Sequence, residues 1–75
     1  MKNKIIEINK QFHDGSIRYD GDLDSIANKT NIEIAKIIAE RHPFFDGNKR
    51  TAIKFMEIQT KERVPEFVYE ILKKI

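Results

Sequence analysis

A segment of ten residues, 42–51, contains most of the side chains in this chain that could act together in chemistry. It reads His-Pro-Phe-Phe-Asp-Gly-Asn-Lys-Arg-Thr. His42 carries an imidazole, which can take a proton from an attacking hydroxyl near neutral pH. Asp46 offers the hard oxygen ligand that Mg²⁺ prefers when it bridges the phosphates of a nucleotide. A proton acceptor and a magnesium ligand this close together indicate the transfer of a phosphoryl or nucleotidyl group.

The same segment also contains the parts of an anion site. A helix is predicted to start at about Asn48, and a helix N-terminus presents free backbone N–H groups and a positive dipole end. Gly47 has no side chain to block the approach of a phosphate to that backbone. Lys49 and Arg50 add two cations at the same place, and arginine can bind phosphate oxygens in a bidentate manner. These residues therefore favour a phosphate-binding turn.

Each of these residues also has a plainer interpretation. His42 could be a favourable cap at a helix C-terminus. The pair 46–47 could be an ordinary turn, and the pair 49–50 an ordinary solvated helix face. Phe44 and Phe45 could be core anchors, and for Phe44 that could be its whole role. The combination of these residues in one segment is what indicates chemistry.

Hydrophobic periodicity predicts that helices position this segment. Thr30 or Asn31 can cap the helix that precedes it, with Glu33 in the first turn, and Pro43 disfavours helical geometry in the residue before it. Residues 15–22 alternate polar and apolar side chains and predict a short extended flap or hairpin arm, followed by one helical turn at 22–27. The predicted helices span 4–12, about 30 to 41, 48–61, and 65 onward with Val64, Phe67, Val68, Ile71, Leu72 and Ile75 on one face. The sequence thus predicts one all-α domain over residues 1–75 with a short flap.

Composition excludes several other classes of protein. The chain has 75 residues and no cysteine, which rules out a disulfide framework, a Cys-ligated zinc site and a catalytic thiol. The net charge of +2, with cations and acids interleaved, does not favour a nucleic-acid-binding protein. No apolar run approaches the roughly 20 residues that a bilayer crossing needs. We therefore expect a cytoplasmic protein without a membrane partner.

The segment 42–51 resembles the signature of the Fic/Doc superfamily, the filamentation-induced-by-cAMP and death-on-curing proteins. Every position except Phe45 agrees with that signature. A second, weaker resemblance lies upstream, where Gly15-Ser16-Ile17-Arg18, then Gly21, Leu23 and Ser25, is similar to the flap that precedes the active site in death-on-curing members. The resemblance implies a small Fic-like helical domain.

The resemblance also implies a role for individual residues. His42 would be the general base that deprotonates a hydroxyl of a target protein, and Phe44 would anchor the loop in the core. Asp46 would hold Mg²⁺ against the phosphates of ATP. The implied anion and nucleotide site consists of Gly47 through its backbone, Asn48, Lys49 and Arg50. The implied flap residues, which would clamp the target as an added strand, are Ile17 and Arg18.

Two features bear on the branch of the family. Adenylylating Fic proteins usually carry Gly at the position of Lys49, whereas death-on-curing members carry Lys and resemble a kinase that moves the γ-phosphate. Gly47 departs from that branch, because those members often have Ala at its position. Lys49 nevertheless favours a toxin of the death-on-curing type that phosphorylates a hydroxyl of a target protein, a translation factor among the candidates. AMP transfer of the Fic type is the alternative.

A further alternative is a truncated, non-catalytic binding module. The stretch between the flap and His42 is shorter than is usual in the family, so part of the nucleotide pocket could be missing. In such a module Met56, Phe67 and Ile71 could belong to a partner interface. No Ser/Thr-x-x-x-Glu inhibitory pattern is present, so an active enzyme would need control by an antitoxin or another inhibitory chain. A homo-oligomer is also compatible with the sequence.

Overall fold

The computed structural model describes residues 1–61 and 64–74 and contains five helices. They are α1 (Lys2–Asn9), α2 (Asp20–Asp24), α3 (Asn31–Arg41), α4 (Asn48–Thr60) and α5 (Glu66–Lys74). No strand occurs among these residues, which confirms the predicted all-α class. None of the described helices has the length and apolar composition that a bilayer crossing requires.

The helices α3 and α4 pack against each other in the centre of the domain, and the other helices pack around them. Thr30 caps α3 through a capping box, because its side chain accepts a hydrogen bond from the Glu33 backbone while the Glu33 side chain accepts one from the Thr30 backbone. This reciprocal pair satisfies two donors that the first turn would otherwise leave free. The core that results receives buried side chains from all five helices and the loop between α3 and α4, among them Ile5, Leu23, Ile38, Phe44, Phe55 and Leu72.

The predicted flap is present, but it is shorter than 15–22. Ile17 forms an isolated antiparallel bridge with Phe44. The partner of the extended segment is therefore the loop within residues 42–51, here called the signature loop, rather than a second arm of a hairpin. The extended backbone ends at Tyr19, because α2 begins at Asp20 rather than at residue 22. Acidic side chains in the first turn of α2 favour that early start, and Lys2 pairs with Asp20 at 3.2 Å.

Helix α5 buries a narrower face than its sequence predicts. Phe67 and Ile71, predicted on the same face as Val68 and Leu72, remain 64% and 40% exposed. Each lies one residue before a buried position, and one residue corresponds to a rotation of about 100° around an α-helix. The stripe that contacts the core repeats every four residues and consists of Val64, Val68 and Leu72. Ile75, predicted on the same face, lies outside the described residues.

Candidate active site

A cleft of about 330 Å³ opens at the N-terminus of α4. Its lining consists of Phe12, His42, Phe45 and the run 46–50. Apart from Phe12, every one of these residues belongs to the segment 42–51. The structure therefore brings the imidazole, the carboxylate and both cations of that segment to one concave surface, while it places Phe44 in the core and Ile17 and Arg18 outside the cleft.

His42 reaches the cleft because α3 ends at Arg41 and the chain turns there. Its backbone adopts the left-handed conformation, with φ 54° and ψ 60°, and the following Pro43 disfavours continuation of the helix. Non-glycine residues rarely adopt this conformation, although histidine does so more readily than most. The turn leaves His42 exposed at the edge of the cleft, where its ring is open to a substrate.

Asn48 closes the turn between the two central helices. Its Oδ1 accepts a hydrogen bond of 2.9 Å from the Phe44 N–H, and its Nδ2 donates one of 3.0 Å to the Phe44 carbonyl. Phe44 is fully buried, so this pair fixes the loop to the core. The anion-binding role implied for Asn48 is thereby restricted, because the amide is engaged with Phe44 and the backbone N–H is the group that an anion could still contact.

Gly47 is the N-cap of α4 and adopts φ 73°. A Cβ at this position would lie 3.1 Å from the Phe12 Cβ and 3.3 Å from the Asn9 Nδ2. Both the backbone conformation and the close neighbours therefore favour glycine. Gly47 has no side chain that could cap α4, so the first-turn N–H groups of the helix receive no acceptor from the N-cap residue and can bind an anion.

Asp46 projects from the loop with an exposed side chain. Its Oδ1 accepts a hydrogen bond of 2.7 Å from the Gly47 N–H, which fixes the carboxylate beside the start of α4. Within residues 1–61 and 64–74, no three His, Asp or Glu side chains cluster in a way that could hold a metal ion. A single carboxylate fits Mg²⁺, which commonly binds one or two protein carboxylates and takes further ligands from substrate phosphates and water.

The two cations of the segment differ in their surroundings. The Lys49 ammonium donates a hydrogen bond of 3.1 Å to the carbonyl oxygen of Lys73, at the C-terminal end of α5. Arg50 is exposed and forms no ion pair in the part of the chain that the structure describes. Arg50 is therefore the cation of this site that is free to bind phosphate oxygens, while Lys49 also joins α4 to α5.

Asn9, at the end of α1, supports the site through hydrogen bonds, and this role was not predicted from the sequence. Asn9 is fully buried. Its Nδ2 donates to the Asp46 carbonyl at 2.9 Å and to the Thr51 Oγ1 at 3.0 Å, and its Oδ1 accepts from the Gly15 N–H at 3.0 Å. One feature of the sequence could have identified it. Asn9 lies four residues after Ile5, which places a polar side chain on the apolar face of α1.

Phe12 is the second functional residue that the sequence did not identify. Its spacing from Ile5 and Ile8 predicts a core side chain, and it does pack against the core. The chain leaves α1 at Asn9, however, and turns at residues 10–12. Phe12 is therefore half-buried and contributes an aromatic surface to the cleft.

The flap starts at a tight turn next to Asn9. Gly15 adopts φ 79°, and the Ser16 N–H donates a hydrogen bond of 2.8 Å to the Asp14 Oδ1. That hydrogen bond lowers the pKa of Asp14 below its ordinary value, because it stabilises the ionised carboxylate. The turn thus directs the chain from α1 across the signature loop.

Among the residues that the structure describes, Ile17 forms no main-chain hydrogen bond, so the paired flap retains one free edge there. The N–H groups of Arg18 and Tyr19 donate to the Pro43 carbonyl at 2.6 and 3.0 Å. Ile17 therefore occupies a non-hydrogen-bonded position opposite Phe44, and in antiparallel pairing the N–H and C=O of such a residue point to the opposite edge. Next to Ile17 along the chain, the Arg18 guanidinium lies over the Tyr19 ring, 4.8 Å from the ring centroid.

Comparisons of the chain with protein-family models, with curated proteins and with solved structures find no match.

Proposed function

We propose that this protein is a phosphotransferase of the death-on-curing type, which transfers the γ-phosphate of ATP to a hydroxyl of a target protein. The observation that carries this proposal is the convergence of His42, Asp46 and Arg50 on one cleft at the N-terminus of α4. Convergent titratable and cationic groups in a concave site support an enzyme. The sequence resemblance to the Fic/Doc superfamily supports the same function.

The chemistry follows from the position of each group. ATP would supply the phosphoryl group, and a Mg²⁺ ion held by the Asp46 carboxylate would neutralise part of the charge on its phosphates. His42 accepts the proton of the target hydroxyl while the hydroxyl oxygen bonds to the γ-phosphorus, and the bond from that phosphorus to the bridging oxygen breaks to release ADP. Arg50 and the first N–H groups of α4 stabilise the charge on the transferred oxygens. Positioning and electrostatic stabilisation supply the rate, as is general for phosphoryl transfer.

The flap provides a place for the target protein. An extended segment of the target could add to the free edge at Ile17, with Arg18 beside it, through main-chain hydrogen bonds. The bridge between Ile17 and Phe44 lies on the other edge and holds the flap beside the signature loop. A target bound at the free edge would carry its hydroxyl toward His42. We place this activity in the cytoplasm, where ATP and target proteins are present, under the control of an antitoxin or another inhibitory chain.

A non-catalytic binding module is the second candidate. The exposure of Phe67 and Ile71 on α5 favours it, because neighbouring exposed apolar side chains are frequent at protein interfaces. Met56, which the sequence suggested for the same interface, is only 7% exposed and is part of the core. The candidate surface is therefore confined to α5.

Two experiments separate these functions. Isothermal titration with Mg²⁺ and ATP should give measurable heat for the enzyme and none for a module without a nucleotide pocket. Expression of the wild-type protein should arrest growth, while His42→Ala should abolish the arrest without a change in helix content. His13→Ala is the matched control, because His13 is also exposed but does not line the cleft. Growth arrest by the His42→Ala protein would contradict the proposed mechanism.

A further inference from the structure

A second pocket, of about 190 Å³, adjoins the cleft. It shares Phe12 and Arg50 with the cleft, and its other lining residues are Ile53, Lys54 and Glu57. We call it the Phe12 pocket. Because the two depressions share two walls, a ligand that occupies the cleft can extend into the Phe12 pocket.

The Phe12 pocket follows one face of α4. Arg50, Ile53 and Glu57 are spaced by three and four residues, so they lie in one row along the helix. With a rise of 1.5 Å per residue, Arg50 and Glu57 are separated by roughly 10 Å along the axis. The row thus leads from the anion-binding end of the helix to a carboxylate two turns away.

The residues that line the pocket change from apolar to polar along this row. The Phe12 ring and the Ile53 side chain, both half-buried, provide an apolar surface beside Arg50. At the far end the Glu57 Oε1 accepts a hydrogen bond of 3.0 Å from the Tyr69 hydroxyl. This contact holds an acceptor group beside the apolar surface. The combination suits a flat ring with polar groups at its edge rather than a purely aliphatic side chain.

The volume of the Phe12 pocket suits one part of a ligand rather than a whole ligand. Pockets that hold a complete small molecule usually measure about 300–1,000 Å³, and the Phe12 pocket is smaller than this range. We propose that it binds the purine base of the nucleotide whose phosphates occupy the cleft, with the base stacked on Phe12. This inference rests on the proposed function, because it assigns the base of the same nucleotide.

The test compares two ligands that differ by the nucleoside. The full chain is titrated in the presence of Mg²⁺ with ATP and with inorganic tripolyphosphate, which keeps the phosphates and lacks base and sugar. We expect the wild-type protein to bind ATP at least tenfold more tightly. Phe12→Leu should weaken ATP binding roughly tenfold, the order expected for loss of stacking on an aromatic side chain. Ile53→Ala should also weaken ATP binding, because it removes apolar contact with the base. Ile53→Ala should leave the affinity for tripolyphosphate unchanged, because Ile53 does not line the cleft.

Ile37→Ala is the matched control, since Ile37 is a half-buried isoleucine on α3 that lines neither depression. Its affinity for ATP should equal that of the wild type. Equal affinities of the wild type for ATP and tripolyphosphate would overturn the assignment of the Phe12 pocket and leave the phosphate site intact. Unchanged ATP binding in Ile53→Ala and Phe12→Leu would overturn the same assignment. Binding of neither ligand would overturn the proposed function together with this inference.

Discussion

The side-chain amide of Asn9 donates a hydrogen bond of 2.9 Å to the backbone carbonyl of Asp46, across 37 residues of sequence. The same amide contacts Thr51 on α4 and the Gly15 N–H at the start of the flap. One buried side chain therefore holds the flap, the signature loop and the helix that follows in a fixed relation. The proposed metal ligand and the proposed target-binding edge are both tied to α1 in this way.

Replacing Asn9 by Ala should destabilise the protein by about 3 kcal/mol, because its buried partners would lose their hydrogen bonds without gaining access to water. Urea unfolding monitored by circular dichroism measures the change. Asn3→Ala is the matched control, since Asn3 lies on the same helix with an exposed side chain, and its free energy of unfolding should remain within about 0.5 kcal/mol of the wild type. Equal effects of the two substitutions would show that the Asn9 network contributes nothing specific.

Gly47→Ala tests whether the loop conformation needs glycine. The left-handed backbone costs an L-residue about 1–2 kcal/mol, and the new Cβ would meet Phe12 at 3.1 Å. We expect a loss of at least that size in the free energy of unfolding, measured by urea titration. Gly21→Ala is the opposite case, because a Cβ there meets nothing within 4 Å in helix α2. Gly21→Ala should stabilise the protein by about 0.5 kcal/mol. A Gly47→Ala protein as stable as the wild type would contradict the account of the loop.

The fold was largely predictable because its signals are local. The Thr30 cap and Glu33 mark the start of α3 in the sequence, and Pro43 marks its end. Which apolar stripe of α5 packs against the core was not predictable, because Phe67 and Ile71 are as apolar as the residues that pack. Which of two neighbouring apolar stripes becomes buried depends on the shape of the core that the helix meets.

The capping box of α3 makes stability depend on pH. The Thr30 hydroxyl and backbone N–H donate to the Glu33 carboxylate and lower the pKa of Glu33 below its ordinary value of 4.5. A lowered pKa stabilises the folded state above the unfolded value, and that stabilisation is lost as the pH falls through the lower folded value. Glu33→Gln should therefore be less stable than the wild type at pH 7 and equally stable once the carboxylate is protonated.

Unfolding of both proteins by urea at neutral pH and in acid measures this difference. Glu40→Gln serves as the control, because Glu40 is exposed on the same helix and lies outside the capping box. Its difference from the wild type should be small at both pH values. A Glu33→Gln deficit that persists unchanged in acid would mean that the carboxylate charge does not support the cap.

Lys49 should decide which phosphate of ATP is transferred. Its ammonium donates to the Lys73 carbonyl, and the residue lines the cleft. Lys49→Gly removes this side chain and opens the space that adenylylating Fic proteins keep free, so AMP transfer should appear and γ-phosphate transfer should fall. Lys36→Gly, at an exposed position of α3 that lines neither depression, is the control and should leave the choice of phosphate unchanged. If Lys49→Gly transferred the same phosphate as the wild type, Lys49 would not set the branch.

The candidate site was only partly predictable from sequence. The residues of segment 42–51 are contiguous, so their type and spacing already indicate an anion site with a proton acceptor. Asn9 and Phe12 are far from that segment in sequence, and their proximity to it depends on how α1 packs against α4. The engagement of Asn48 with Phe44 was also hidden, because an amide side chain can close a turn as readily as it can bind an anion.

Transfer of label from ATP tests the central claim most directly. Purified protein is mixed with cell extract, Mg²⁺ and ATP that carries the label on either the α- or the γ-phosphate, and His42→Ala and His13→Ala serve as the variants. We expect label from the γ-phosphate on a protein of the extract with the wild type and with His13→Ala, and a loss of roughly 10²–10⁴-fold with His42→Ala, the range for removal of a general base. Label from the α-phosphate alone would identify AMP transfer instead. Absence of label from both positions, or γ-label that persists with His42→Ala, would contradict the account.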